Sequence, residues 1–335
     1  MQRDPSATPP PGDSPRGVAP DPSQPPPPEK AMHEVLSSFD YDTAEELLAL
    51  CAQHDLSIAD VALRREATEQ GLTLEELLAK MEEFYGKMRE SVAEGLKIHG
   101  TSPSGLSGGD AAKLYRYSEG ERPLMGSRFA RTIAYGFAVL ECNAQFGRIV
   151  ATPTAGSAGI VPACLLTLEE EEGLTTRQAA RALFTAVGIG VIIGKNACFS
   201  GARGGCQAEV GSASCMAAAA IVEAQGGSPQ QAVNAGSFAL MNTLGLVCDP
   251  IGGYVEVPCV SRNGMFAVHS FEAAVMALAD ARCVVPLDHV ILALHDIGRR
   301  MPRQLKETSE GGLATTPTGR KYKTGKFSPP NEPEG

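Results

Sequence analysis

The sequence predicts a mainly all-α protein, and three observations carry that expectation. Four capping-box patterns each stand ahead of apolar residues at helical spacing: Thr43-Ala44-Glu45-Glu46, Thr73-Leu74-Glu75-Glu76, Thr175-Thr176-Arg177-Gln178 and Ser228-Pro229-Gln230-Gln231. Two runs, Ala182–Gly194 and Val210–Val222, are apolar on every side, as in helices buried all round. Only Tyr254–Val260 has the composition of a strand, with an aromatic and two β-branched residues ahead of Pro258.

The elements follow in order. Residues 1–28 hold 11 of the 24 prolines and almost no large apolar side chain. Such a segment buries too little surface to offset its ordering entropy, so residues 1–30 are expected to form a disordered tail. Residues 31–100 read as a helical scaffold, with Asp55-Leu56-Ser57 separating two of its helices. A loop of small and hydroxyl residues, Thr101–Asp110, then opens the part expected to carry chemistry, residues 101–320. A helix is expected over Ser127–Phe146. A second such loop, Thr152–Gly159, enters a helix near Ile160, and the helix capped by Thr175 ends near Lys195. Asn196–Gln207 is a third Gly/Ser-rich loop. Helices are expected over Glu209–Ala224, Pro229–Leu244, Arg262–Asp280 and Leu287–Met301, the second with proline at its favoured first position. Residues 321–335 read as a flexible tail. The architecture is thus one of buried apolar central helices with Gly/Ser-rich loops converging on one region.

Charge limits the partners. With 29 basic and 39 acidic residues the formal net charge is −10, which opposes binding to phosphate backbones and anionic lipid. The two most apolar runs are 13 residues each, against the roughly 17–25 a membrane span needs. The N-terminus has no apolar secretory segment, so a cytoplasmic location with reduced thiols is expected.

Nine cysteines in a reducing compartment ask for a role other than disulfides. Cys51, Cys142, Cys164 and Cys283 fit helical apolar patterns and read as packing residues. Cys215 also falls inside a helix, and Cys198 lies in the third loop. Cys206, Cys248 and Cys259 stand apart, each near Gly or Pro, where the backbone turns or is locally fixed. Their spacings match neither a zinc ribbon nor a ferredoxin. By spacing alone, unrelated buried or loop cysteines account for the three more readily than a shared site.

The surrounding motifs change that reading. Gly205-Cys206-Gln207-Ala208-Glu209-Val210-Gly211-Ser212-Ala213-Ser214, Leu244-Gly245-Leu246-Val247-Cys248-Asp249-Pro250 and Val255-Glu256-Val257-Pro258-Cys259 resemble the alpha chain of bacterial iron–sulfur L-serine dehydratases. So do the Gly105–Asp110 loop with Lys113-Leu114, the Ala151–Gly159 loop, Gly311-Gly312-Leu313-Ala314 and Thr316-Pro317-Thr318-Gly319. The match runs from about Tyr41 to Arg320. The resemblance implies an L-serine ammonia-lyase making pyruvate and ammonia, with a [4Fe–4S] cluster on Cys206, Cys248 and Cys259 and one iron free of protein thiolate. Three ligands and an open position suit Lewis-acid catalysis. It also implies the two-chain form, with a separate beta chain in a hetero-oligomer. The last cysteine is Cys283, and only scaffold and tail precede the catalytic part.

On this reading Thr154, Gly156 and Ser157 are candidates to hold the substrate carboxylate at a helix start. Asn196, Ser200 and Asn263 are candidates for the amino group or leaving hydroxyl. Candidates for the general base are Ser157, Ser200 and Lys195, the last if burial lowers its pKa. His269 is a further possibility, and Glu209 or Asp249 is placed to orient a ligand. Three rival readings stay open. A cysteine desulfidase-like lyase fits the same loops, a pyridoxal-phosphate dehydratase would use Lys195 as its Schiff base, and a non-catalytic iron–sulfur redox or structural protein needs only the cysteines.

Overall fold

The computed structural model describes residues 39–323. The expected tail 1–30, the start of the scaffold and most of the 321–335 tail lie outside the described residues. Among the described residues there are thirteen α-helices and no β-strand, so the protein is mainly all-α. The helices are α1 (Ala44–His54), α2 (Ile58–Gln70), α3 (Leu74–Gly95), α4 (Asp110–Ser118), α5 (Gly126–Ala144), α6 (Ile160–Glu172), α7 (Thr176–Asn196), α8 (Gly201–Gly204), α9 (Ser212–Ala224), α10 (Pro229–Met241), α11 (Cys259–Leu278), α12 (Leu287–Arg300) and α13 (Pro317–Lys323).

All four capping boxes form as expected: the Thr43, Thr73, Thr175 and Ser228 side chains accept from the backbone of Glu46, Glu76, Gln178 and Gln231. Ser57 and Asp60 make a fifth at the start of α2, where Asp replaces the usual Glu or Gln. At the other end of α2, Gly71 takes the left-handed conformation that closes a helix.

The centre of the molecule is α9. Every residue from Ser212 to Val222 is buried, and the helix packs against α6, α7, α10 and α11. Its alanines let those helices come close. The same device brings α5 onto α11: a Cβ at Gly136 would lie 2.7–2.8 Å from the backbone of Asn263 and Gly264, so no larger residue fits that crossing. One large core joins these helices, and a smaller one lies between α2, α3 and α7 around Leu63, Leu78 and Phe184.

Several expectations need correction. Tyr254–Val260 is not a strand. Ile251 N–H donates to Val257 C=O at 2.9 Å, folding the segment onto itself, and Cys259 already begins α11. The one isolated bridge in the described residues pairs Cys248 with Lys306. Cys283 is not on a helix, because α11 ends at Leu278 and Asp280 turns left-handed at φ 54°. The run Ala182–Gly194 is not buried all round: Val187 and Val191 are half-buried and Gly194 is exposed. Within α7, 21 residues long, an 18-residue window is apolar enough to cross a membrane, which the 13-residue run did not suggest; 67% of that window is buried inside the molecule. Its full-turn companions on α2, α3 and α9 are what it packs against.

Candidate functional site

Three segments far apart in sequence deliver Cys206, Cys248 and Cys259 to one buried region, at 2%, 3% and 7% exposure. Cys206 lies two residues beyond the short α8 turn and caps a π-helical turn, Gln207–Gly211, that leads into α9. Gln207 pins that turn, donating to Leu294 C=O at 3.1 Å and accepting from Gly245 N–H at 2.8 Å. Cys248 is held through its backbone: its N–H donates to Leu305 C=O at 2.9 Å, and its C=O accepts from Glu307 N–H at 2.7 Å. Cys259 is the first residue of α11.

The thiols sense one another. The neighbouring Cys248, helped by Arg262, holds the Cys206 thiol below its ordinary value against burial. Cys206 and burial together drive the Cys248 thiol up. Burial pushes Cys259 up to about 12, and the Cys206 charge adds to this. Arg262 lies one turn beyond Cys259 on α11. Its guanidinium donates to Val247 C=O at 2.9 Å and to Asp249 Oδ1 at 3.3 Å, on either side of Cys248.

Glu209 sits one turn after Cys206. Its Oε1 accepts from the Thr154 hydroxyl at 2.8 Å, and its Oε2 lies 3.9 Å from Cys248 Sγ. Burial raises its pKa, and Glu307 adds to this, while the Thr154 hydrogen bond opposes the shift. Two glycines make room for the carboxyl. A Cβ at Gly201 would come within 2.6 Å of Glu209 Oε2 and 3.2 Å of Cys248 Sγ, and one at Gly156 within 3.1 Å of Oε1.

The loop 152–159 is fastened to the cysteine helix by Asn263. Its amide donates to Gly156 C=O at 2.8 Å and Cys259 C=O at 2.9 Å, and its oxygen accepts from Gly159 N–H at 2.8 Å. Ser157 is fully buried and donates to Thr152 C=O at 3.0 Å. The loop 101–109 is fastened by carboxylates. Glu256 accepts from the hydroxyls of Ser102, Ser104 and Ser107 at 2.5–2.6 Å. Glu141, fully buried, accepts from Gly109 N–H and Asp110 N–H, both at 2.9 Å.

The remaining candidates are placed differently. Ser200 caps α8 at half-burial, and its hydroxyl makes no hydrogen bond among the described residues. Lys195 binds Asp42 at 2.5 Å and Asp40 at 3.0 Å, and donates to Tyr41 C=O at 2.8 Å. Burial works to lower its pKa, but these carboxylates outweigh it and raise the value. The Asn196 amide donates to Asp42 C=O and Ile192 C=O. His269 meets Ala239 C=O at 2.9 Å, on α10. Cys215 is buried inside α9, and burial alone drives its thiol up.

Among the described residues no three His, Cys, Asp or Glu side chains gather tightly enough to hold a single metal ion. The donor set at the cysteines has a different character: three thiols in one buried region, with a guanidinium beside them and glycines against the neighbouring carboxyl. Those residues fit a thiolate-bound inorganic cluster, which takes sulfur ligands and needs a nearby counter-charge.

The family model for the serine dehydratase alpha chain matches residues 53–314. This chain belongs to the serine dehydratase alpha chain family. It is 46% identical to "Probable L-serine dehydratase, alpha chain" of Bacillus subtilis (strain 168), covering 84% of this chain and 93% of the relative. It is 39% identical to "L-serine dehydratase, alpha chain" of Peptoniphilus asaccharolyticus over 84% of this chain and 97% of the relative. It is 36% identical to "L-serine dehydratase TdcG" of Escherichia coli (strain K12), covering 84% of this chain and 63% of the relative.

The span matched by the family model takes in all three cysteines, Glu209, Arg262 and the serine loop, and most of α1 precedes it. Sequence reasoning missed Arg262 and Glu256. The i, i+3 spacing of Arg262 from Cys259 was a usable signal. Glu256 had none, since its serine partners lie 149–154 residues away.

Proposed function

We propose that this chain is the catalytic alpha chain of an L-serine dehydratase, with Cys206, Cys248 and Cys259 holding a [4Fe–4S] cluster. Residues 101–320 form the catalytic part, and the described residues before them, 39–100, its helical support. The observation that carries the reading is the meeting of three buried thiols with Glu209 and Arg262 at one place in the fold.

L-Serine loses a proton from Cα and hydroxide from Cβ. The resulting aminoacrylate rearranges to an imine, which water hydrolyses to pyruvate and ammonia with no net redox change. A cluster with one iron free of protein thiolate supplies a Lewis acid that makes hydroxide a viable leaving group. The chain's own residues do the rest. Glu209, buried and with its carboxyl held above the ordinary value, is the group placed to hold or pass a proton at its carboxyl oxygens. Thr154 orients that carboxyl through its hydroxyl. Asn263 ties Gly156 and Gly159 to Cys259, which joins the loop to the thiol helix. Ser200, with its hydroxyl uncommitted among the described residues, is available to a substrate polar group. Lys195 and Asn196 act instead by tying the chain around Asp42 to the end of α7.

Relatives named as alpha chains support a separate beta chain as partner. Nine free thiols suit the reducing cytoplasm. The test is anaerobic purification followed by iron and sulfide analysis and by ammonia and pyruvate release from L-serine, with L-cysteine as competitor substrate. Serine turnover by protein that carries no iron would remove the cluster from the account. Faster turnover of cysteine would shift the leaving group to hydrosulfide.

A further inference from the structure

We infer that Arg262 is a positioning residue that clamps the Cys248 segment and supplies the counter-charge for the three-thiol site. The inference rests on the cluster reading above, and its test separates the two.

Arg262 reaches two of the three cysteine segments from one place. It is one helical turn from Cys259, so both residues share a face of α11. Its two terminal nitrogens bind the residues flanking Cys248: Val247 C=O at 2.9 Å and Asp249 Oδ1 at 3.3 Å. One side chain thus links the Cys259 helix to the Cys248 segment. Asp249 extends the link, because its Oδ2 accepts from Leu313 N–H at 2.8 Å and so fixes the C-terminal segment that cradles Cys248.

The charge argument is independent of the clamp. The Arg262 side chain is 14% exposed and Asp249 5%. Glu209 Oε2 lies 3.9 Å from Cys248 Sγ and Glu307 is bonded through its backbone to Cys248, while the Arg262 guanidinium sits on the residues either side of that cysteine. Burying three thiolates among carboxyls without a cation is expensive, and removing one partner from a buried charge group is strongly destabilising. Only arginine suits the position. Its planar fork meets a carbonyl and a carboxylate together, where lysine offers a point charge. The sequence marks this residue only as a polar one early in a helix.

The test uses the full chain in three forms: wild type, Arg262→Lys and Arg262→Met. Each is rebuilt anaerobically with ferrous iron and sulfide, and each is also kept cluster-free. Three quantities are read: the rate of iron loss to a chelator, the midpoint potential, and iodoacetamide labelling of Cys248 in the cluster-free protein by mass spectrometry. Arg262→Met is expected to lose iron about 10–100-fold faster, the range for residues that support metal ligands. Its potential is expected to fall, since removing a positive charge favours the oxidised cluster. Cys248 labelling is expected to rise by about tenfold, the effect of losing one hydrogen bond to a charged group. Arg262→Lys, which keeps charge and bulk, is expected to recover the potential but not the protection of Cys248. Iron retention, potential and labelling in both variants equal to wild type would overturn the inference. Wild-type protein that takes up no iron would overturn the cluster reading alone, because the labelling comparison still decides whether Arg262 clamps Cys248.

Discussion

The helices α1–α3 and the cysteine region use the same charged residues in opposite ways. In the helical part, charge sits at edges. Arg65 pairs with Glu69 at 2.6 Å across one turn, Lys97 with Glu94 at 2.7 Å, and Arg181 of α7 reaches Asp60 at 2.9 Å. Water screens such pairs, so each contributes little. Around the cysteines, charge sits inside. Glu141, Glu209, Glu256, Asp249 and Arg262 are buried or nearly so, and each is spoken for by backbone or side-chain partners. The two environments shift carboxyls in opposite directions. Asp60 is held below its ordinary value, since its Arg181 and Ser57 partners outweigh burial, while Glu141 and Glu209 are raised by burial. Charges on the scaffold are replaceable fittings. Charges in the site are parts of its frame.

Four experiments break or sharpen that contrast. The largest effect is expected at the cysteines: Cys206→Ser should abolish iron uptake and ammonia release. Cys215→Ala, a change at an equally buried thiol, should leave iron content unchanged. Equal iron in both variants would erase the distinction between ligand and packing cysteine.

Next comes Glu256→Ala, which strands the hydroxyls of Ser102 and Ser107 in buried surroundings. Loss of a charged acceptor for several buried donors should lower unfolding free energy by roughly 3 kcal/mol in anaerobic urea titrations. A loss below about 1 kcal/mol would mean that the serine loop is fastened elsewhere.

Opposite pH signatures should follow from the opposite shifts. Glu141 has a folded pKa above its ordinary 4.5. Between those two values the native state holds more protons than the unfolded chain, so stability rises as pH falls through the folded value and levels off below 4.5. Glu141→Gln should remove that gain. Asp60 has a folded pKa below its ordinary 3.8. Its contribution is present above 3.8 and is lost as pH falls through the lower folded value, a loss Asp60→Asn should remove. Urea midpoints of the two variants and wild type between neutral and strongly acid pH check both signs. Parallel profiles for the two variants would defeat the comparison.

The smallest effect is on the scaffold. Thr73→Ala removes one cap of α3 and should cost about 1 kcal/mol by the same titration, with serine turnover unchanged.

Much of this was legible beforehand, and the exceptions have a common cause. The helix starts at Ala44, Leu74, Thr176 and Pro229 were read from capping boxes and stand where expected. The three cysteines were picked out by their flanking motifs. Misreadings came where neighbours distant in the chain intervened. Tyr254–Val260 had a strand's composition, but its backbone bonds went to Ile251 and its Glu256 to a loop some 150 residues earlier. Lys195 carried the residue type of a base, but Asp40 and Asp42 reach it from the start of the described chain.

The sequence by itself determined the helical class, most helix ends and the identity of the family, because caps and periodic apolar faces act within a few residues. Only the tertiary structure decided which carboxyls hold protons, which cation serves the thiols and which candidates meet. Those properties depend on burial and on partners up to about 150 residues apart, and neither exists until the helices have packed around α9.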